Sequence, residues 1–366
     1  MLTFGLYLSY KQLYPEQNGE RLYEEMREQA LMADQLGYDN LWFPEHHLIH
    51  FTMSPSALLP AVSIGAQVKC RVGTSVVILA QHHPLMFAGE IAQADRLLRG
   101  RLELGVARGA YKYEFDRFGI NFDDSRARFE ECLDILERLW RSEDEGVAYK
   151  GKFYHFESSY VWPRPVQKPH PPIWIGCMSA PSIERAVEQR YNVFHALFRN
   201  PMSQVETMAD TFHSTRERLG IPRGEIRLAM SRNAFVVERQ ADLAKRAREA
   251  LTLERINRRM MNFTQNADTR AYVSPDPNPG DPSETEILNN LIMGTPDQVL
   301  EMIEAYDAAG VDHISLYMAF GAPHEEVVES IRLFAEGVMK PYRDRHRDSP
   351  QARASSFGDR PETPDR

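Results

Sequence analysis

Cysteine is scarce in this chain. Among 366 residues there are three, Cys70, Cys132 and Cys177. They are far apart and odd in number, and none sits in a CxxC pair. That leaves no basis for a disulfide framework or a structural zinc site and points to a reducing, cytoplasmic setting. Long apolar runs are missing as well. No stretch approaches the ~18 residues needed to cross a bilayer. The opening MLTFGLYLSY has no basic region ahead of an apolar one, so it does not read as a secretory signal. Positive charge is in the minority: 43 Lys and Arg against 52 Asp and Glu leave a formal charge of −9. Binding to nucleic-acid phosphates needs a basic face, so that class of partner is set aside. There is no GxGxxG, no HExxH and no repeat of fixed period.

What is present suits a globular enzyme. Hydrophobic residues make up 43% and charged residues 26%, enough for a large core under an ordinary surface. A prior of about 150 residues per domain would suggest two domains, but α/β barrels of this length commonly form one.

Short apolar runs alternate with amphipathic stretches. Strands are expected at 2–8, 40–43, 72–79, 101–106, 173–177, 192–196, 225–237 and 313–318. Helical spacing recurs at 20–36, 84–98, up to about 253, at 295–309 and at 324–338, with Thr295 as an N-cap and Pro296 in the first turn. Alternation on this scale implies parallel strands, and about eight repeats favour a (β/α)8 TIM barrel with insertion loops over an open sheet. The barrel is expected to occupy 1–342, and the polar tail 343–366 to be disordered. Residues 144–167, rich in aromatics and prolines, read as an insertion. Residues 262–285, with four prolines among polar residues, read as a long loop. Such a loop serves either as a lid over an active site or as idle surface.

Parallel barrels carry their chemistry at the carboxyl ends of the strands. After the second strand comes Pro44-Glu45-His46-His47, with His50 nearby. A histidine here suits general acid or base work, and Glu45 is placed to orient it. As a metal site, His46 and His50 supply two ligands and need a third. After the third strand comes Gln81-His82-His83-Pro84, where capping of a helix is the simpler reading. After the fourth comes Ala107-Arg108-Gly109-Ala110-Tyr111. Arg108 can pair with a phosphate, Gly109 lets backbone approach a ligand, and Tyr111 offers a ring face. A structural ion pair is the competing reading of Arg108. After the fifth strand, Ser179 and Ser182 stand at a helix start, where they cap the helix, bind phosphate, or both.

These stretches, GYDNLWFPEHH, VGTSVVILAQHHP, DRLLRGRLELGVARGAYKYEF, SRARFEECLDIL, PPIWIGCMSAPSIERA and GTPDQVLEMI, together resemble the bacterial luciferase-like monooxygenases over roughly residues 1–340. The resemblance implies a (β/α)8 barrel using reduced FMN (FMNH2) from a separate NAD(P)H:flavin reductase. It further implies O2 activation through a flavin C4a-peroxide, oxygen insertion into a small organic substrate, and a homodimer joined through the 84–98 helix. By position, His46 matches the family's active-site histidine, with Glu45 beside it. Arg108, Ser179 and Ser182 match phosphate-binding positions, and Tyr111 an aromatic near the flavin. Ser75-Val76 matches a pair joined by a non-prolyl cis peptide under the ring. Two positions depart from luciferases: Ala107 replaces a reactive cysteine, and Met178, at the cofactor edge, replaces a glutamate. Both point away from light emission and an aldehyde substrate. Three other readings stay open: a deazaflavin-dependent hydride-transfer enzyme on the same barrel, a metal-dependent hydrolase built on His46 and His50, and a non-catalytic partner subunit.

Overall fold

The structure, a computed structural model, describes residues 1–13, 17–196, 198–261, 268 and 270–347. Eight parallel strands form its centre: β1 (Thr3–Tyr7), β2 (Asn40–Phe43), β3 (Arg71–Thr74), β4 (Leu102–Ala107), β5 (Ile173–Cys177), β6 (Asn192–Ala196), β7 (Leu228–Val236) and β8 (His313–Tyr317). Each pairs with the next, and β8 pairs with β1, so the sheet closes on itself. Closure leaves these eight strands without an open edge, and a short parallel strand, Ile292–Gly294, adds to the end of β7. The strands are apolar almost throughout because both faces are covered, one by the barrel interior and one by helices.

The helices follow in chain order: α1 (Gly19–Gln35), α2 (Leu58–Gly65), α3 (Pro84–Leu97), α4 (Lys112–Arg117), α5 (Ser125–Arg141), α6 (Ala180–Glu188), α7 (Met202–Arg218), α8 (Leu243–Met261), α9 (Glu284–Asn290), α10 (Pro296–Ala308), α11 (His324–Phe334) and α12 (Lys340–His346). Local chemistry sets several starts. Asn18 accepts from the Glu20 amide ahead of α1, and Thr295 precedes Pro296 in α10, as its sequence suggests.

The amino-terminal half of the barrel is filled by large rings. Trp42 lies across the interior because both neighbouring strands are bare where it passes. A Cβ on Gly5 would come within 2.7 Å of its Nε1, and one on Gly73 within 2.2 Å of its Cζ3. Its Nε1–H donates to His313 Nε2 at 2.8 Å, and Trp174 and Phe194 pack edge-on against it. Accepting at Nε2 leaves the His313 proton on Nδ1, facing Thr3 Oγ1 at 2.9 Å. Burial, reinforced by the charge of Arg227, pushes this imidazole down to about 3, so it remains neutral.

Four features differ from the sequence reading. The β-branched run 72–79 is not one strand. It breaks after Thr74 at a cis peptide bond between Ser75 and Val76 and resumes at Val77–Ile78, still paired with β4. Across the break, the Thr74 hydroxyl donates to the Gly105 carbonyl (2.7 Å) and accepts from the Gly105 amide (2.9 Å), replacing the backbone ladder. The insertion contains an antiparallel hairpin, Val147–Lys150 with His155–Ser159. The long loop ends in a capping box at Ser283, with Glu286 reaching back to its amide, so α9 begins before 285. Residues 262–267 and 269 of that loop lie outside the described residues. Finally, the tail boundary expected at 343 falls inside α12. There Arg343 bonds the Gly37 carbonyl and pairs with Asp39. Of the expected tail, 348–366 lie outside the described residues.

Gly105 is the tightest point of this arrangement, since a Cβ there would lie 2.0 Å from the Thr74 carbonyl oxygen. Overpacking a rigid core costs about 1–3 kcal/mol. Gly105→Ala should therefore lower the thermal midpoint by several degrees in a calorimetric scan, and an unchanged midpoint would show that the β3–β4 junction relaxes freely.

Candidate active site

The carboxyl end of β2 supplies the densest cluster of titratable groups. Pro44 and Glu45 are buried, and the segment turns back on itself: Ser54 Oγ donates to the Pro44 carbonyl, and the His46 amide donates to the Ser54 carbonyl. Glu45 is 2% exposed. Its Oε1 sits within hydrogen-bond distance of three donors: His82 Nε2 at 2.8 Å, His47 Nε2 at 3.2 Å and the Ile78 amide at 3.2 Å. Burial alone would raise this carboxyl. The hydrogen bonds and charges of His47 and His82 reverse that and hold it down to about 2. The same contact acts on His47. Its burial would lower the imidazole, but the bond to Glu45 and the charges of Glu45 and Glu114 carry it above its ordinary value.

The sequence makes Glu45 the partner of His46, but in the structure Glu114 holds that place. Beyond the end of β2 the Glu45 carboxylate meets His47, two positions on, and not His46. Glu114, on α4, is fully buried. Its Oε1 accepts from the His47 amide at 2.6 Å and lies 3.1 Å from His46 Nδ1. With a carboxylate at Nδ1, that nitrogen carries the proton and Nε2 is left with its lone pair. The His46 ring stacks on Tyr111 at 4.7 Å, and Tyr111 is itself buried. His50 turns elsewhere. Its Nδ1 reaches the Gln12 carbonyl at 2.7 Å, and its ring packs on Tyr272 at 4.4 Å. His46 and His50 thus do not converge. Among the described residues, the three-ligand group is Glu304, Asp307 and His346, on α10 and α12. His82, read as a helix cap, belongs to the Glu45 cluster, while His83 stands at the α3 N-cap position.

The ends of β4 and β5 lie side by side, with Val106 paired to Ile175. This brings Arg108 and the Met178–Ser182 turn to one edge. Gly109 has φ +92°, and a Cβ there would strike Ile78 and Phe115 at 2.7 and 2.8 Å, so glycine is required for the chain to turn here. Arg108 is exposed. It donates to Ser125 Oγ at 3.3 Å, lies 5.3 Å from the Phe122 ring, and makes no ion pair among the described residues. Partial burial and the charge of Arg126, at the start of α5, both lower its ordinary value. Two guanidinium groups therefore repel one another here. Arg126 forms a long ion pair of 4.0 Å with Glu130 on its own helix, and among the described residues Arg108 has none. Ser182 Oγ accepts from the Ser179 amide at 3.1 Å and donates to its carbonyl at 2.6 Å, which shapes the α6 N-terminus. Met178 is 57% exposed at the same rim. Ser75 and Val76 lie behind, with Val76 resting 3.3 Å from where a Cβ on Gly105 or on Gly176 would stand. A guanidinium without a carboxylate partner among the described residues, a second one beside it and a helix N-terminus on the same edge fit a phosphate-bearing cofactor.

Sequence reasoning missed Glu114 and Arg126. Each sits in a helix among other charged residues, and no spacing rule marks which one turns inward.

A family profile for luciferase-like monooxygenases matches residues 2–313. The oxygenase component of a flavin-dependent trigonelline monooxygenase from Acinetobacter baylyi is 29% identical over 368 residues, spanning 97% of this chain and 99% of that protein. The alkanal monooxygenase alpha chain of the Kryptophanaron alfredi symbiont is 24% identical over 85% of this chain and 90% of its own. Among solved structures, a monooxygenase from Streptomyces bottropensis superposes with a TM-score of 0.80 at 26% identity, covering 93% of this chain and all of that one (100%).

The Glu45–His47 contact has a defined pH window. The raised His47 contributes stability that is complete below its ordinary 6.5 and is lost as pH rises through the folded value. The depressed Glu45 contributes stability present above its ordinary 4.5 and lost as pH falls toward 2. In an NMR titration His47 should titrate above 6.5 in the native protein and fall below it in Glu45→Gln, where only the charge of Glu114 still opposes burial. No difference between the two proteins would sink this account of the cluster.

Proposed function

Because this chain belongs to the luciferase-like monooxygenase family, we propose that it is the oxygenase component of a two-component system. It takes reduced FMN from a separate NAD(P)H:flavin reductase and uses O2 to insert one oxygen atom into a small organic substrate. The observation that carries the cofactor assignment is the edge shared by β4 and β5. There, among the described residues, Arg108 meets no carboxylate and feels the charge of Arg126, and the register of β4 and β5 brings the α6 N-terminus to the same edge. Arg108, Ser179 and Ser182 would hold the phosphate. Ser75, Val76, Tyr111 and Met178 would border the ring. The relatives, one of them itself an oxygenase component, support this reading.

When bound, reduced flavin supplies the activation of O2. The chain's own residues then govern protons and water. Glu114 holds the proton of His46 on Nδ1, so Nε2 is the atom that takes up or returns a proton during transfer. Glu45 fixes His47, whose amide in turn fixes Glu114, so the two carboxylates position His46 in series. The rings of Tyr111 and Phe51 cover His46 and exclude water on that side. Tyr272, in the described part of the long loop, packs against His50 beside this cluster. The protein works as a homodimer in the cytoplasm, with Met86 and Leu97 of α3, 69% and 57% exposed, on the contact face.

Anaerobic titration with photoreduced FMN tests the assignment. Arg108→Ala removes charged hydrogen bonds worth about 1.5–3 kcal/mol, so the FMN dissociation constant should rise about tenfold or more. His46→Ala should keep that constant within about twofold while product formed per flavin oxidised falls. Unaltered FMN binding in Arg108→Ala would reject the phosphate site. Wild-type coupling in His46→Ala would reject the role of His46. A protein that took up only a deazaflavin and consumed no O2 would reject the monooxygenase reading.

A further inference from the structure

Buried cations in this protein are matched. Arg246, with its side chain 2% exposed, bridges Glu249 and Glu326. Arg71 meets Glu103, Arg255 meets Asp281, and Arg232 donates to the carbonyls of Asn200 and Asn290. Lys11 is different. It follows β1 at the carboxyl end of the barrel, where only part of its surface reaches solvent. Among the described residues no carboxylate lies within ion-pair distance of its ammonium and no hydrogen bond reaches it. What surrounds it is aromatic. Nζ lies 4.7 Å from the Tyr317 ring centroid and 5.6 Å from that of Phe51. The neighbouring charge is positive too: Arg199, beyond β6, is close enough to repel Lys11, and its own charge is matched by Glu254. Burial, with Arg199 adding to it, brings the Lys11 ammonium down to about 7.

The position of Lys11 relative to His46 gives this cation a use. Phe51 lies near both, its ring 6.5 Å from the His46 ring, and Tyr111 lies 6.1 Å from Phe51. Tyr317 in turn packs edge-on with Tyr7 at 5.4 Å, and Tyr7 with Phe198 at 5.3 Å. A ring of aromatic faces thus runs from the candidate catalytic histidine to an ammonium that no carboxylate among the described residues matches. Cation–π contact offsets part of the cost of burying that charge and leaves the ammonium's N–H donors unused. A bound anion would supply what the fold omits.

We propose that Lys11 is a specificity-determining residue that recognises the anionic group, a carboxylate, of a substrate bound at the mouth of the barrel. This rests on the reading that the mouth of the barrel is the oxygenation site. Lysine is a compact point charge that does not demand two parallel acceptors, so a single carboxylate suffices. A carboxylate here would hold the ammonium charged against the burial and the Arg199 charge that lower it, whereas a neutral substrate would gain no such pairing, so the anion is favoured.

Calorimetric titration of the flavin-free full chain with benzoate and with benzamide, its neutral isostere, tests this. Benzoate should bind at least about tenfold more tightly than benzamide. Lys11→Met should weaken benzoate by a similar factor and leave benzamide within about twofold. Lys11→Arg should recover most of the loss. Circular dichroism and the thermal midpoint confirm that each variant is folded. If Lys11→Met does not fold, the arginine variant and the benzoate-to-benzamide ratio of the native chain decide alone. Equal affinity for the two probes, absence of benzoate binding at millimolar concentration, or equal weakening of both by Lys11→Met would overturn the proposal. A parallel FMN titration separates the two levels. Lys11-dependent benzoate binding without FMN binding would spare this inference and sink the flavin reading, and the reverse pattern would do the opposite.

Discussion

One carboxylate oxygen organises the mouth of this barrel. Glu45 Oε1 is buried and draws in two imidazoles and a backbone amide from segments that follow different strands. A carboxylate removed from water is costly unless its lone pairs are filled, and here they are filled only if the loop after β2 meets the segment after the β3 break. The rest follows from that junction. With His47 pinned by its side chain, its amide points at Glu114. Glu114 then holds His46, and His46 lies on Tyr111, in the same short turn after β4 that carries Arg108.

The two ends of the barrel solve the problem of buried polarity differently. At the amino end, groups are matched within the chain: Trp42 with His313, His313 with Thr3, Trp174 with Glu103, and Glu103 with Arg71. That end serves stability, although the buried side-chain amide of Asn40, at the start of β2, has no hydrogen-bond partner among the described residues. At the carboxyl end several groups stay incompletely matched among the described residues. Glu114 Oε2 is buried without a hydrogen-bond partner, and neither Arg108 nor Lys11 meets a carboxylate. Unmatched charge at the carboxyl end of a parallel barrel is where a ligand is expected to complete the structure.

The sequence carried much of this. Alternating apolar and amphipathic runs identified the eight strands and the barrel, because a strand buried on both faces and a helix buried on one leave different periods. The residues after the second, fourth and fifth strands were legible as candidates for a related reason: in a parallel barrel the strand ends define the site before any coordinates exist. Errors arose where spacing stops being informative. The run 72–79 is rich in β-branched residues throughout, so its pattern does not announce the break after Thr74, and only the family resemblance marked the cis bond at Ser75–Val76. Pairing Glu45 with His46 followed adjacency in sequence, whereas the fold brings Glu45 to His47 and His46 to Glu114 on α4.

Sequence alone determined which residues stand at the ends of the strands, since hydrophobic period and turn chemistry are local properties of the chain. Only the tertiary structure decided which of them meet. Glu45 found His47 and His82, His46 found Glu114, and Lys11 came to rest among aromatic rings. Those outcomes depend on where separate loops cross above a closed barrel, and contacts between loops distant in sequence leave no periodic trace in a single chain.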